Sequence, residues 1–164
     1  MSRTLGLSDP DPAWEQRYQD EARALAIAFP SACLEHIGST AVPGLAAKPI
    51  IDIMLGLSAT DNIEKAMAAL DGIGYVLEDY YLDHYWLRRD TDGVRSINLH
   101  LFRTDSRQWH ERILFRDALR SDPELAARYL TLKRELVHQH ADELSVYTTA
   151  KWEFVEAVLA WHKY

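Results

Sequence analysis

A single cysteine, Cys33, stands in 164 residues. One thiol cannot close an intrachain disulfide, so the fold must rest on its core, and the chain suits a reducing compartment. Positive charge is not in excess either: 18 Lys and Arg against 25 Asp and Glu leave a net charge of −7. Such a molecule repels nucleic-acid backbones unless a clustered basic patch overrides its field, so nucleic acid is not the expected partner. No apolar run approaches the ~20 residues that span a bilayer. Met1 to Pro12 hold no apolar core of the signal-peptide type. The reading is a cytoplasmic protein with no membrane partner. Repeats, low-complexity tracts and sustained heptads are missing too.

What is present is a globular composition, 48% hydrophobic and 26% charged, in a length that suits one domain, 1–164. Ser8 to Pro12 form a cap-and-turn cluster, after which Trp14, Tyr18, Ala22, Leu25 and Phe29 recur at helical spacing. Strands are predicted at 33–37 and 49–57, a helix at 61–71 and a short strand at 75–78. Asp90-Thr91-Asp92-Gly93 joins strands at 84–89 and 94–102 as a hairpin. Helices follow at 106–120, at 122–140 behind the cap Asp122-Pro123-Glu124, and at 145–162. The fold class is therefore α/β (α+β), a mixed sheet flanked by helices, with a helical C-terminal part from about 106 to 164. Trp109, Trp152 and Trp161 read as core, and Cys33 as a small buried hydrophobe.

The strongest local signal is His36-Ile37-Gly38-Ser39-Thr40, a strand running into a tight turn. Backbone N–H groups there, with the Ser39 and Thr40 hydroxyls, suit a phosphate, and Gly38 lets the backbone approach it. Lys48 adds a positive charge. In the following strand, alternation places Ile50, Asp52 and Met54 on one face and Ile51, Ile53 and Leu55 on the other. Asp52 is the one carboxylate in a strand apolar on both faces. A buried carboxylate is costly unless it is paired, hydrogen-bonded or bound to a metal. Either it accepts hydrogen bonds from neighbouring backbone or the Ser39 turn, or it belongs to a site.

The stretch Glu35-His36-Ile37-Gly38-Ser39-Thr40-Ala41-Val42-Pro43-Gly44-Leu45-Ala46-Ala47-Lys48-Pro49-Ile50-Ile51-Asp52-Ile53 resembles the signature of GrpB-like proteins. The likeness continues in Arg88, in Asn98 to Leu101, in Phe115-Arg116-Asp117 with Leu119-Arg120, and in Tyr129 with Leu132-Lys133. That family is placed in the nucleotidyltransferase superfamily, and some of its members are fused to dephospho-coenzyme A kinase. The resemblance implies a minimal nucleotidyltransferase-like fold. Active members of the superfamily pair a Gly-Ser turn with two acids one residue apart and a third acid on a later strand. These acids hold two magnesium ions.

Against that pattern, Gly38-Ser39 and Asp52 are in place, but positions 50 and 54 are Ile50 and Met54. The later strand offers His100, with Ser96, Asn98 and Phe102 on the same face. The site expected is thus poor in carboxylate. Asp52, His100 and His36 are its candidate catalytic groups. Gly38, Ser39, Thr40, Lys48 and Arg88 are its ligand-binding groups, and Asp52 with His100 its metal ligands. Acids borrowed from Glu35, Glu78 or Asp79 are an alternative. A divalent metal is the cofactor implied: Mg in the standard chemistry, or Mn or Zn where an imidazole is a ligand. Basic residues such as Arg95, Arg103, Arg116 and Lys133 are candidates to ring the cleft, and Tyr80, Tyr81, Tyr85 and Trp86 are either base-stacking groups or packing. The partner expected is a small anionic ligand, a nucleotide or phosphate ester. Three functions follow: nucleotide or phosphate-ester binding with nucleotidyl transfer, a non-catalytic nucleotide- or metabolite-binding module, and a single-metal hydrolase using Asp52 and His100.

Overall fold

The computed structural model describes residues 6–140 and 144–162, so the first five positions of the segment Met1 to Pro12 lie outside it. In chain order the elements are α1 (Ala13–Ala28), β1 (Cys33–Ile37), β2 (Ile51–Leu57), α2 (Ile63–Gly72), β3 (Val76–Tyr81), β4 (His84–Thr91), β5 (Val94–Arg103), α3 (Arg107–Ser121), α4 (Pro123–His140) and α5 (Leu144–His162). The five strands form one sheet in the order β1-β2-β5-β4-β3. Only β2 and β5 run parallel, so the sheet is mixed and the fold α+β.

Local chemistry sets the boundaries. Asp122 Oδ1 accepts from the backbone N–H groups of Glu124 and Leu125, both at 3.0 Å, and starts α4. Asn62 and Ser106 cap α2 and α3 in the same way. Asp92 (φ 51°) and Gly93 (φ 76°) supply the two left-handed residues that let β4 turn directly into β5. β2 starts at Ile51 rather than Pro49, because the Ile50 N–H closes a tight turn on Lys48 O at 2.8 Å.

Packing follows the two-residue alternation. Ile51, Ile53 and Leu55 of β2, with Leu99 and Leu101 of β5, meet α1 and α2 through Trp14, Leu25 and Leu70. On the other face Ile37, Met54 and Phe102 meet Trp109 of α3. Gly56 makes that second contact close: a Cβ there would lie 2.5 Å from Thr104 Cγ2 and 2.8 Å from the Trp109 ring. The helical part α3–α5 also clasps the loop between β1 and β2, with Val42 and Leu45 packed among Leu119, Tyr129 and Val158. That loop therefore runs between the sheet and the helical tail.

Three core expectations are corrected. Trp152 and Trp161 are exposed, at 47% and 84%. α5 packs through Tyr147, Val155, Val158 and Leu159, and this stripe leaves both tryptophans outside it. Cys33 is exposed at the start of edge strand β1. Trp109 is core, as expected.

Candidate functional site

β1 ends at Ile37, which lies in register with Asp52, and Asp52 lies in register with Asn98. The turn after β1 therefore stands directly over Asp52. Gly38 has φ +74°, and a Cβ on it would sit 2.5 Å from Asp52 Oδ2. Both facts demand glycine: the backbone is left-handed, and the carboxylate occupies the space of a side chain. Ser39–Ala41 then make one turn of 3-10 helix, which Arg120 Nε holds by donating to Ala41 O at 2.8 Å.

Beside this corner lies a recess of about 190 Å³ between the sheet end and the helical tail. Gly38, Ser39, Thr40, Lys48 and Asp52 line it together, joined by Lys133 of the basic residues expected to ring the cleft, so the structure gathers six of the predicted residues. Lys133 of α4 and Lys151 of α5 enter from the opposite wall. Lys133 is only 4% exposed. Its Nζ donates to Ser39 Oγ at 2.6 Å and to Ala46 O at 3.4 Å. Burial pushes the Lys133 ammonium down to about 7, helped by Lys151 and Lys48 and opposed by Asp52. Lys151 is held up by Tyr129, then by Tyr147 and Asp52, against its burial.

Asp52 is part-buried, its side chain 28% exposed. Burial pushes its carboxyl up, but His100, Asn98 and Lys151 outweigh that and hold it below the usual carboxylate range. Asn98 Nδ2 donates to Asp52 Oδ1 at 3.1 Å. His100 Nε2 stands 3.9 Å from the same oxygen, an ion-pair distance rather than a hydrogen bond. The other ring nitrogen of His100 lies 2.9 Å from His84 Nε2. Burial pushes both imidazoles down, His84 to about 3, where His100 and Arg112 add to the effect.

Three predicted catalytic or ligand-binding residues do not line the recess: His100, which stands behind Asp52, His36 and Arg88. His36 alternates to the α1 face, in register with Ile53. Its ring stacks on Tyr18 at 4.5 Å and bonds to Thr40 Oγ1 at 2.9 Å and Glu15 at 3.2 Å. His36 thus braces the turn from behind. Arg88 is on the Asp52 face, in register with Asn98, but its guanidinium is engaged by Glu78 and Asp90. Two of the three borrowed acids are paired elsewhere, Glu35 with Arg116 and Glu78 with Arg88 and Arg95, and Asp79, exposed on β3, accepts from the Tyr80 N–H at 2.8 Å. Arg103 donates to Ser58 O and Asp61 O. Tyr80 and Tyr81 are exposed on edge strand β3, Tyr80 stacked on Tyr85, and Arg95 lies over Trp86. None of these four aromatics lines the recess.

Lys151, Arg112 and His84 were not among the candidates. Arg112 precedes Arg116 by one helical turn on α3, and that spacing is the signal that marks it. The Arg112 guanidinium lies 5.2 Å from the centre of the Phe102 ring, within electrostatic reach of Asp52. Lys151 leaves no comparable sign, because only helix docking brings it to the turn.

A magnesium pair does not fit these donors. Of the positions that would carry acids, Ile50 lines the recess and Met54 is fully buried on Phe102 and Trp109, while the later strand sets Asn98 opposite Asp52 and His100 opposite Met54. Among the described residues, no group of three His, Cys, Asp or Glu is placed to hold a metal ion. A single metal on Asp52 and His100 would have two protein donors and the Arg112 charge close by.

Comparison with known proteins agrees with this geometry at the level of fold. A UPF0157 protein of Streptomyces coelicolor is 37% identical over 155 residues, covering 94% of this chain and 82% of that one. The crystal structure of conserved protein GrpB from Enterococcus faecalis superposes with TM-score 0.81 at 30% identity, over 97% of this chain and all of that one. The Cid1 poly(U) polymerase, in a MgGTP-bound structure, shares the fold at TM-score 0.57 and 15% identity, over 79% of this chain and 44% of the polymerase. The family model for GrpB protein matches residues 4–160. The chain belongs to the GrpB family, on a nucleotidyltransferase-like fold.

Proposed function

We propose that the recess binds a small phosphate-bearing ligand, a nucleotide or another phosphate ester. The observation that carries this reading is Lys133. It is a buried ammonium, 2.6 Å from Ser39 Oγ, in a recess that also takes in Lys48 and Lys151. Both its hydrogen-bond acceptors are uncharged. Burying a cation on neutral acceptors costs stability that an anion restores. The Ser39 hydroxyl, which accepts from Lys133, keeps its own O–H to donate to a phosphate oxygen. A nucleotide is the first ester to try, since the fold is shared with a polymerase whose structure holds MgGTP. Two-metal nucleotidyl transfer is not part of the reading, because the donors around Asp52 do not provide for it. The reading is a binding module.

Calorimetry with ATP, GTP, CTP, UTP and pyrophosphate tests it. At least one should bind, and Lys133→Met and Ser39→Ala should each weaken that binding about ten-fold or more, the value of one charge-assisted contact. Silence from all five ligands at millimolar concentration would overturn the reading.

A further inference from the structure

We propose that side-chain cations take the place of magnesium in this recess, so that the phosphate ligand binds metal-free. The inference rests on the phosphate reading above and adds what neutralises the ligand. In a two-metal centre, carboxylates collect dications and the dications collect phosphate oxygens. Here the order is inverted. The recess is lined by Lys48, Lys133 and Lys151, and Asp52 is the one carboxylate among its lining residues. Asn98 donates to Asp52 Oδ1, Gly38 covers Oδ2 on the turn side, and Lys151 and Arg112 both reach the carboxylate electrostatically. A dication at Asp52 would meet those charges in a part-buried site, where they are poorly screened. A phosphate chain finds the field it needs without one. Each ammonium has three donors, and Lys133 and Lys151 rise from separate helices to face the Gly38-Ser39 corner.

This assigns Asp52 an unusual sign. In a metal site it is the group on which phosphate binding depends. In the arrangement proposed it repels the ligand and serves to hold the lysines and the turn in place.

The experiment is calorimetry of the full chain with inorganic pyrophosphate, in EDTA and in excess MgCl2, for wild type, Asp52→Asn and Lys151→Met. A thermal melt of each variant reports folding. The inference expects wild type to bind in EDTA at least as tightly as in MgCl2, since magnesium competes for the pyrophosphate. It expects Asp52→Asn to bind several-fold tighter, and Lys151→Met ten-fold or more weaker in EDTA with a cooperative melt retained. Binding that needs magnesium, or that Asp52→Asn abolishes in a folded protein, overturns the inference and leaves the phosphate site standing. No pyrophosphate binding in either buffer overturns this inference, while the phosphate reading falls only if the four nucleoside triphosphates are silent as well.

Discussion

Lys133 is pushed down to about 7 first by burial, then by Lys151 and Lys48, with Asp52 opposing. In the unfolded chain a lysine titrates near 10.5. Between those two values the unfolded state holds a proton that the native state does not, so stability rises with pH across the window. Below about 7 both states are protonated and the penalty is complete. Urea unfolding from pH 7 to pH 10 should therefore show wild type gaining on Lys133→Met, by on the order of a few kcal/mol at the upper end. A constant difference would mean that Lys133 titrates normally. At this scale Gly38, Ser39, Lys48 and Asp52 were legible, because a glycine turn and a lone acid in an apolar strand both break local expectation. His36 was misplaced by its neighbourhood in sequence: it adjoins the turn, but the strand's alternation sends it to the opposite face.

At the level of elements, strands and helices fell where spacing placed them, and the departures are at the ends. β2 is trimmed by the Lys48–Ile50 turn, while β3 runs on to Tyr81 because β4 offers it partners as far as His84. What spacing did not reveal is how α3 docks. Trp109 lies against Gly56, where the absence of a side chain brings helix and sheet into contact. Gly56→Ala places a methyl 2.5 Å from Thr104 Cγ2 and 2.8 Å from the Trp109 ring. Overpacking of that kind should cost about 1–3 kcal/mol, read from the denaturation midpoint. It should also weaken ligand binding, since α3 carries both Arg112 and the Arg120 contact to the turn. An unchanged midpoint would show that α3 shifts freely on the sheet.

For the whole molecule the balance of charge separates a small anionic ligand from a nucleic acid. A net charge of −7 surrounds a recess lined by three lysines. On the proposed reading a small anion meets the lysines of the recess, whereas a long polyanion must also cover acidic surface. A labelled 20-nucleotide RNA should show no anisotropy change at physiological salt below ~100 µM protein, the weak end of non-specific binding. Saturation at low micromolar protein would refute the small-ligand reading.

The amino-acid sequence alone determined the order of helices and strands, the glycine-serine turn and the lone aspartate beside it, because these depend on residues near one another along the chain. Tertiary structure decided which charges face that aspartate. Lys133 was one of several basic candidates for the cleft, but only helix docking selected it over Arg95, Arg103 and Arg116 and added Lys151, and Asn98 reaches Asp52 only through the parallel pairing of β2 with β5. Such distances are set by packing across the fold, and no local pattern encodes them.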